Sequence, residues 1–305
     1  QEQACSHGIL TTRNLIYLLM TALLLTACEI SANPSPRGPK LPVARLSDPS
    51  DLRGHDQSLQ FSLDLSAPFR VGSIPSGCTV FTVSKGDQVL FGGNDDYIKP
   101  DSYYWVDPGD AQNYGAIWIG QPDNVQQGVN EQGLAYDSNG LPRVYVNPHS
   151  ERISVSGSYT SYPIHILHEC ATVDEVITWV KEHQWHSFMH DQMHFADATG
   201  DAVIISAGTD GEVVFTRKPP GDGFLVSTNF NVVNPANGFG YPCWRYDRAQ
   251  ELLGLLVNQG GKLTAQDAAS VLDAVHQQGG TSWTIASLVA DLPNGVVYLL
   301  SLIHI

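Results

Sequence analysis

From residue 79 onward, short apolar runs arrive in pairs separated by turn residues, a pattern of hairpins. Thr79 to Val83 and Gln88 to Phe91 flank Lys85-Gly86-Asp87, and Val203 to Ser206 and Glu212 to Thr216 flank a turn containing Asp210 and Gly211. Ser287 to Asp291 and Val296 to Leu300 flank Asn294-Gly295, residue types that accept the positive φ of a two-residue turn. Elsewhere the apolar period lengthens to that of a helix. Val173, Val176, Ile177 and Val180 share one face behind the capping pair Thr172 and Glu175, and Val271, Leu272 and Val275 follow Thr264 and Asp267. Ala249, Leu252, Leu253 and Leu256 form a third stripe. Antiparallel hairpins separated by amphipathic helices predict an α+β layered domain rather than a parallel α/β sheet. No internal repeat interrupts the pattern.

Upstream of residue 78 the pattern changes. Leu59, Phe61, Leu63 and Leu65 alternate as in a strand, whereas Ser31 to His55 is rich in Pro, Ser, Gly and charge and reads as a linker. Earlier still, Arg13 precedes an apolar run from Leu15 to Leu25, too short to cross a bilayer but of the right length for the core of a secretory signal. The run closes on Leu25-Thr26-Ala27-Cys28, which resembles the lipobox of bacterial lipoproteins, where the cysteine becomes the lipidated N-terminus. The chain therefore divides into a signal peptide with lipobox (1–28), a linker or propeptide (29–77) and a folded domain (78–305). Export to the periplasm or the outer membrane follows, with the membrane as a partner only through a lipid at Cys28.

Charge and cysteine content narrow the chemistry. Sixteen basic residues against thirty-one acidic ones give a formal charge of −15, which repels nucleic acid and anionic lipid surfaces. With 42% hydrophobic residues over 305 positions there is enough apolar material for a sizeable core. The five cysteines, Cys5, Cys28, Cys78, Cys170 and Cys243, are too few and too scattered for a disulfide framework or a paired-Cys zinc site. Cys170 and Cys243 fit buried thiols or a disulfide pair equally. His165, His168, His183, His186, His190 and His194 crowd a short stretch, yet His168-Glu169-Cys170-Ala171-Thr172 lacks the second histidine of a zinc-peptidase helix. The group is expected to be solvent-exposed or hydrogen-bonded, with no metal and no cofactor.

Cys78 is the residue with most chemical potential. It follows Ser76-Gly77 and opens a strand, so a cut before it would leave a thiol and a free α-amine on one residue. An α-amine with a pKa of about 7.7–8.0 can take the thiol proton without a histidine, so the thiolate should form at low cost. A buried or disulfide-bonded cysteine fits the same position, since exported proteins meet an oxidising compartment.

Further motifs favour the nucleophile. Gly77-Cys78-Thr79-Val80-Phe81, Phe91-Gly92-Gly93-Asn94-Asp95-Asp96-Tyr97, Gly128-Val129-Asn130-Glu131-Gln132-Gly133-Leu134, Phe195-Ala196-Asp197-Ala198-Thr199-Gly200-Asp201, Ser227-Thr228-Asn229-Phe230 and Arg245-Tyr246-Asp247-Arg248 occur in that order over about three quarters of the chain. Together they resemble the signatures of the choloylglycine hydrolase family, which includes bile salt hydrolases and penicillin V acylases and is similar to the acyl-CoA:isopenicillin N acyltransferase group.

The resemblance implies a four-layer αββα sandwich of the N-terminal-nucleophile type and hydrolysis of an N-acyl amide through an acyl-enzyme thioester. Cys78 matches the nucleophile. Asp96 matches the carboxylate that orients the new α-amine, with Asp95 the alternative by one register. Asn139 lies close to the first oxyanion asparagine, one residue off the pattern, and Asn229 matches the second. Arg245 matches the arginine that organises the nucleophile, with Arg248 the alternative. Tyr103, Tyr104 and Trp105 fall where relatives build part of the acyl pocket and are expected on a loop lining it, whereas Trp118 is expected in the core. Gly92, Gly128 and Gly133 read as backbone requirements at turns. Gly93 stands where bile salt hydrolases carry an arginine, so the thiolate loses one nearby positive charge. Relatives are often tetrameric, which admits a homo-oligomer. Acyl transfer to an amine in place of water, or a non-catalytic lipoprotein binding module, are the alternatives.

Overall fold

A computed structural model describes residues 8–9, 77–99, 102–121, 124–157, 161–278 and 282–301. Apart from residues 8–9 and Gly77, the signal and the linker lie outside the described residues, Cys28 and the Leu59 to Leu65 segment included.

Two antiparallel sheets organise the chain. The five-stranded sheet contains β2 (Thr79–Lys85), β3 (Gln88–Tyr97), β11 (Gly223–Ser227), β12 (Trp283–Asp291) and β13 (Val296–Ser301), ordered β11-β2-β3-β12-β13. The eight-stranded sheet contains β1 (Gly8–Ile9), β4 (Tyr103–Asp107), β5 (Ala116–Gln121), β6 (Asn124–Asn130), β7 (Ala135–Tyr145), β8 (Phe188–Ala196), β9 (Ala202–Ala207) and β10 (Val213–Arg217), ordered β1-β4-β5-β6-β7-β8-β9-β10. All three expected hairpins form, as β2–β3, β9–β10 and β12–β13. Their turns rest on Gly86, Gly211 and Gly295, each at positive φ.

Four α-helices, α1 (Tyr162–Glu169), α2 (Val173–Glu182), α3 (Trp244–Asn258) and α4 (Ala265–Ala274), and one 3-10 turn (Pro235–Asn237) complete the described fold. Thr172 and Glu175 cap α2 reciprocally, and Thr264 and Asp267 cap α4 in the same way. Each box gives two orphan N–H groups a partner at the helix start.

The two-residue period of the strands sorts side chains into separate cores. Phe81, Val83 and Val226 pack with Leu253 of α3 and Leu272 of α4, whereas Val80, Phe91 and Leu288 meet Ile119, Val129 and Ala135 of the other sheet. The opposite face of that sheet carries Trp118, Leu134 and Tyr136 against Ile166, Leu167, Val173 and Val176 of α1 and α2. Trp118 is thus a core residue, 1% exposed.

Two sequence expectations need correction. Tyr103, Tyr104 and Trp105 lie not on a loop but in β4, paired with Gly120, Ile119 and Trp118 of β5. The alternating period then turns them apart: Tyr104 packs towards the space between the sheets, while Trp105 packs with the α1–α2 core. Of the three glycines assigned to turns, only Gly133 sits in one, at φ 78°. Gly92 and Gly128 lie inside strands beneath rings, where a Cβ would come 2.5 Å from Phe81 and 2.5 Å from Trp118.

Replacing Thr264 by alanine removes the side-chain oxygen that closes the α4 capping box. The chain should lose about 1 kcal/mol of stability, read as a lower urea midpoint at unchanged slope. An unchanged midpoint would mean that the cap contributes nothing to the fold.

Candidate active site

The first residues of β2 are gripped from the helix side. Arg245, in the first turn of α3, is 1% exposed. Its Nη1 donates to the carbonyl oxygen of Gly77, to that of Cys78 at 2.6 Å and to Thr79 Oγ1 at 3.0 Å, while Nη2 donates to Asn229 Oδ1 at 3.1 Å. Asp96 Oδ2 faces the same guanidinium at 3.8 Å.

Gln277, between α4 and β12, completes this grip. Its Nε2 donates to the Gly77 carbonyl oxygen at 3.0 Å and also to Asp96 Oδ2. The residue is fixed by exchange with Thr284: its N–H donates to Thr284 Oγ1 at 2.8 Å and its C=O accepts from Thr284 N–H at 3.1 Å. Thr284 in turn pairs with Asp96 across the β12–β3 ladder, beside a register shift that sets Ala286 opposite Asp95. Such irregularities commonly re-aim side chains next to functional sites.

The thiol points the other way. Cys78 is buried, and its Sγ donates to Asp95 Oδ1 at 3.8 Å. Asp95 lies on the strand face opposite Asp96, where the Asp137 carboxylate of β7 approaches it from the other sheet. Gly93 opens the room for that carboxylate: a Cβ there would fall 2.1 Å from Asp137 Oδ2. At the position where the sequence resemblance implies an arginine, the Asp137 carboxylate takes the room.

With Cys78 joined to Gly77, burial first and then the charges of Asp95, Asp96 and Asp137 push the Cys78 thiol well up. Burial, and next the Asp96 charge, raises Asp95 to about 8. Burial also raises Asp96 to about 6, with Arg245 acting against it. Asp137 is pushed up by burial and by Asp95.

The two asparagines meet this centre from different strands. Asn229, just past β11, lies so close to Gly77 that a Cβ on that glycine would sit 2.1 Å from Asn229 Cγ. Its Nδ2 donates to the Gly140 carbonyl at 3.0 Å. Asn139 precedes Gly140 on β7, where the register with β8 shifts between Gly140 and Val144. It is fully buried, and neither its Nδ2 nor its Oδ1 has a partner, an uncommon state for an amide away from water.

Cys78, Asp95, Asp96, Asn229 and Arg245 therefore converge, with Asn139 one residue from the Gly140 carbonyl that joins the group. Arg248 stands apart, paired with Glu251 at 2.7 Å near the surface. Cys170 and Cys243 are separate free thiols, Cys243 accepting from Thr228 Oγ1 at 3.4 Å. The histidines have separate partners. His168 meets Asp107 at 3.1 Å and His183 meets the Trp179 carbonyl at 2.7 Å. His194 bridges Thr82 and Ser227, and burial lowers its pKa to about 3. No group of three metal-ligating side chains occurs among the described residues. A cavity of about 240 Å³ lies at the far end of β12, around Ala290, Asp291 and Val129, and touches none of the converging residues.

No protein-family model matches this chain, and no curated protein matches it. Among solved structures it is similar to a mutant of the conjugated bile acid hydrolase from Clostridium perfringens, with 15% identity, TM-score 0.59, and 74% of this chain covering 89% of that one. It is also similar to penicillin V acylase from Agrobacterium tumefaciens, with 18% identity, TM-score 0.58, and 74% covering 83%. At these identities the likeness is one of fold, and the fold is that of these two proteins.

The raised Asp95 pKa has a consequence for stability. In the folded chain this carboxyl keeps its proton up to about 8, whereas its ordinary value is 3.8. The folded state binds the extra proton, so the stabilisation is complete below the ordinary value and is lost as pH rises through the folded one. In a Cys78→Ala background, where no cut at Cys78 can occur, Asp95→Asn should raise the melting temperature more at pH 8 than at pH 4. A difference independent of pH would mean that Asp95 is ionised in the fold like a surface carboxylate.

Proposed function

We propose that this chain is a member of the choloylglycine hydrolase family and hydrolyses linear N-acyl amides with the Cys78 thiol, after the Gly77–Cys78 bond is cut. The observation that carries this reading is the grip on that bond: Arg245 and Gln277 hold the Gly77 carbonyl while Asp95, Asp96 and Asn229 surround the cysteine. A buried structural cysteine needs no such convergence of charge. The likeness in fold to two amide-hydrolysing enzymes supports the same reading, as does the placing of helices on the outer faces of two stacked sheets in the implied αββα order.

Once cut, Cys78 carries a free α-amine beside Asp96, whose carboxylate accepts from Gln277 and faces Arg245. Asp96 orients that amine, which takes the thiol proton as Sγ attacks the substrate carbonyl. Asn229 and Asn139 then supply amide donors to the tetrahedral oxyanion, a role for which the unpartnered Nδ2 of Asn139 is available. The amine product leaves with a proton and water releases the acyl group from the thioester. Tyr104, turned into the space between the sheets, belongs to the acyl end of the pocket. Its strand lies three ladder steps from β7, about 14 Å, so it meets the remote part of an acyl chain. In this reading the chain is an exported lipoprotein precursor, and the cut separates the domain from a lipid at Cys28.

N-terminal sequencing with intact mass decides the point. Wild-type protein should begin at Cys78 and Cys78→Ala should stay joined through Gly77. A folded wild-type chain still joined there would sink the nucleophile assignment. On an N-acyl amide substrate, Asn229→Ala should lower kcat by about 10²–10³, whereas Arg248→Ala should leave it within about twofold, as for surface residues away from the site. Equal losses at both positions would remove Asn229 from the oxyanion site.

A further inference from the structure

The uncut chain poses a chemical problem that the cut enzyme does not have. Before the Gly77–Cys78 bond breaks, the Cys78 nitrogen is an amide and cannot accept the thiol proton, and the carbonyl under attack belongs to Gly77 rather than to a substrate. Of the donors expected to serve a substrate, Asn229 is committed elsewhere, its Nδ2 donating to the Gly140 carbonyl. A separate set of groups has to serve the cut.

We propose that Gln277 and Arg245 form the oxyanion site of a self-cleavage step at Gly77–Cys78, and that Asp95 is its base. The inference rests on the self-processing reading above and adds two catalytic residues, Gln277 and Asp95, to it. The Gly77 carbonyl oxygen accepts from Arg245 Nη1 and from Gln277 Nε2 at 3.0 Å. Two donors on one peptide oxygen, one of them cationic, is the arrangement that stabilises charge developing on that atom. The thiol's hydrogen-bond partner is Asp95 Oδ1 at 3.8 Å. The neighbouring Asp96 is engaged by Gln277 and faces Arg245 on the opposite side of the strand. The nearby histidine His194 has both ring nitrogens occupied by Thr82 and Ser227. The remaining oxygen of Asp95 is buried without a hydrogen-bond partner. Its raised affinity for a proton brings it closer to a thiol than an ordinary carboxylate would be.

The step balances with water as the only co-reactant. Ionised Asp95 removes the proton from Sγ, and the thiolate adds to the Gly77 carbonyl carbon. The oxygen becomes an oxyanion held by Arg245 and Gln277. As it collapses, the bond from carbon to the Cys78 nitrogen breaks, and the departing nitrogen takes the proton back from Asp95. Gly77 is then a thioester on Sγ beside a free α-amine. Hydrolysis of the thioester releases the Gly77 carboxylate and restores the thiol.

The test follows the full-length chain by intact mass from the moment of its synthesis, for wild type, Asp95→Asn, Gln277→Leu and the near-isosteric Gln277→Glu. Thermal unfolding of each variant establishes that it is folded. Asp95→Asn and both Gln277 variants should cut at least about a hundredfold more slowly than wild type. Hydroxylamine added to wild type should divert the released fragment to a Gly77 hydroxamate, which marks the thioester, and yield none in Asp95→Asn over the same interval. Folded Asp95→Asn and Gln277→Glu chains that cut at the wild-type rate would overturn the inference while leaving self-cleavage intact. A wild-type chain that never cuts would instead overturn the reading on which it rests.

Discussion

A guanidinium buried at 1% exposure is costly unless it is paired and hydrogen-bonded. Arg245 is answered by Gly77, Cys78 and Thr79, by Asn229 and by Asp96. This one side chain therefore ties α3 to the start of β2, to the end of β11 and to β3. The apolar stripe of Ala249, Leu253 and Leu256 brings the helix onto the sheet, but it could do so at several offsets along the strands. The contacts of Arg245 select one, and in doing so fix the backbone of residues 77–79 against a rigid surface.

The strand period then separates two kinds of work on adjacent residues. Asn94 and Asp96 face the helices, where Leu272 and Gln277 meet them. Asp95 faces the other sheet, with Cys78 Sγ and Asp137. The backbone of Cys78 is thus held by cationic and amide donors on one side, while its thiol lies among carboxylates on the other. A single-residue slip in β3 would exchange these environments, which is why Asp95 and Asp96, equivalent as alternatives in the sequence, are not equivalent in the fold.

The legible parts of the sequence were those governed by local rules. Turn glycines and two capping boxes marked three hairpins and two helices, and ordered motifs marked Cys78, Asp96, Asn229 and Arg245. The eight-stranded sheet was largely hidden, because its inward positions carry Gln127, Asp137, Asn139, Gln192 and His194, all buried. Polar residues on a buried face erase the alternation by which a strand is recognised. α1 starts at Ser161 without a side-chain cap and carries Pro163 in its first turn, so neither a capping signal nor a long apolar stripe announced it. Gln277 lies between elements, and its importance comes from Thr284 and Gly77, neither of which is near it in a motif. No single-sequence signal could have found it. Asp137 was within reach, since Gly93 marked a missing side chain, but only a fold could show that a carboxylate from another strand takes the room.

The acidic surroundings of Cys78 look unsuited to a nucleophile only while its nitrogen remains an amide. Burial, and then the charges of three carboxylates, keep the thiol protonated, which protects a chain still joined at Gly77 from adventitious thiol chemistry. Cutting the Gly77–Cys78 bond would create an ammonium within the same cluster, and its charge opposes the burial and the acids that raise the thiol. The carboxylates that disfavour the thiolate before the cut would afterwards stabilise the protonated amine that forms when the thiol ionises. The product of that ionisation is a thiolate and an ammonium on one residue, with Asp96 next to the positive member. On the proposed reading, the Asp137 carboxylate in the room left at Gly93 makes the activation of Cys78 conditional on the cut.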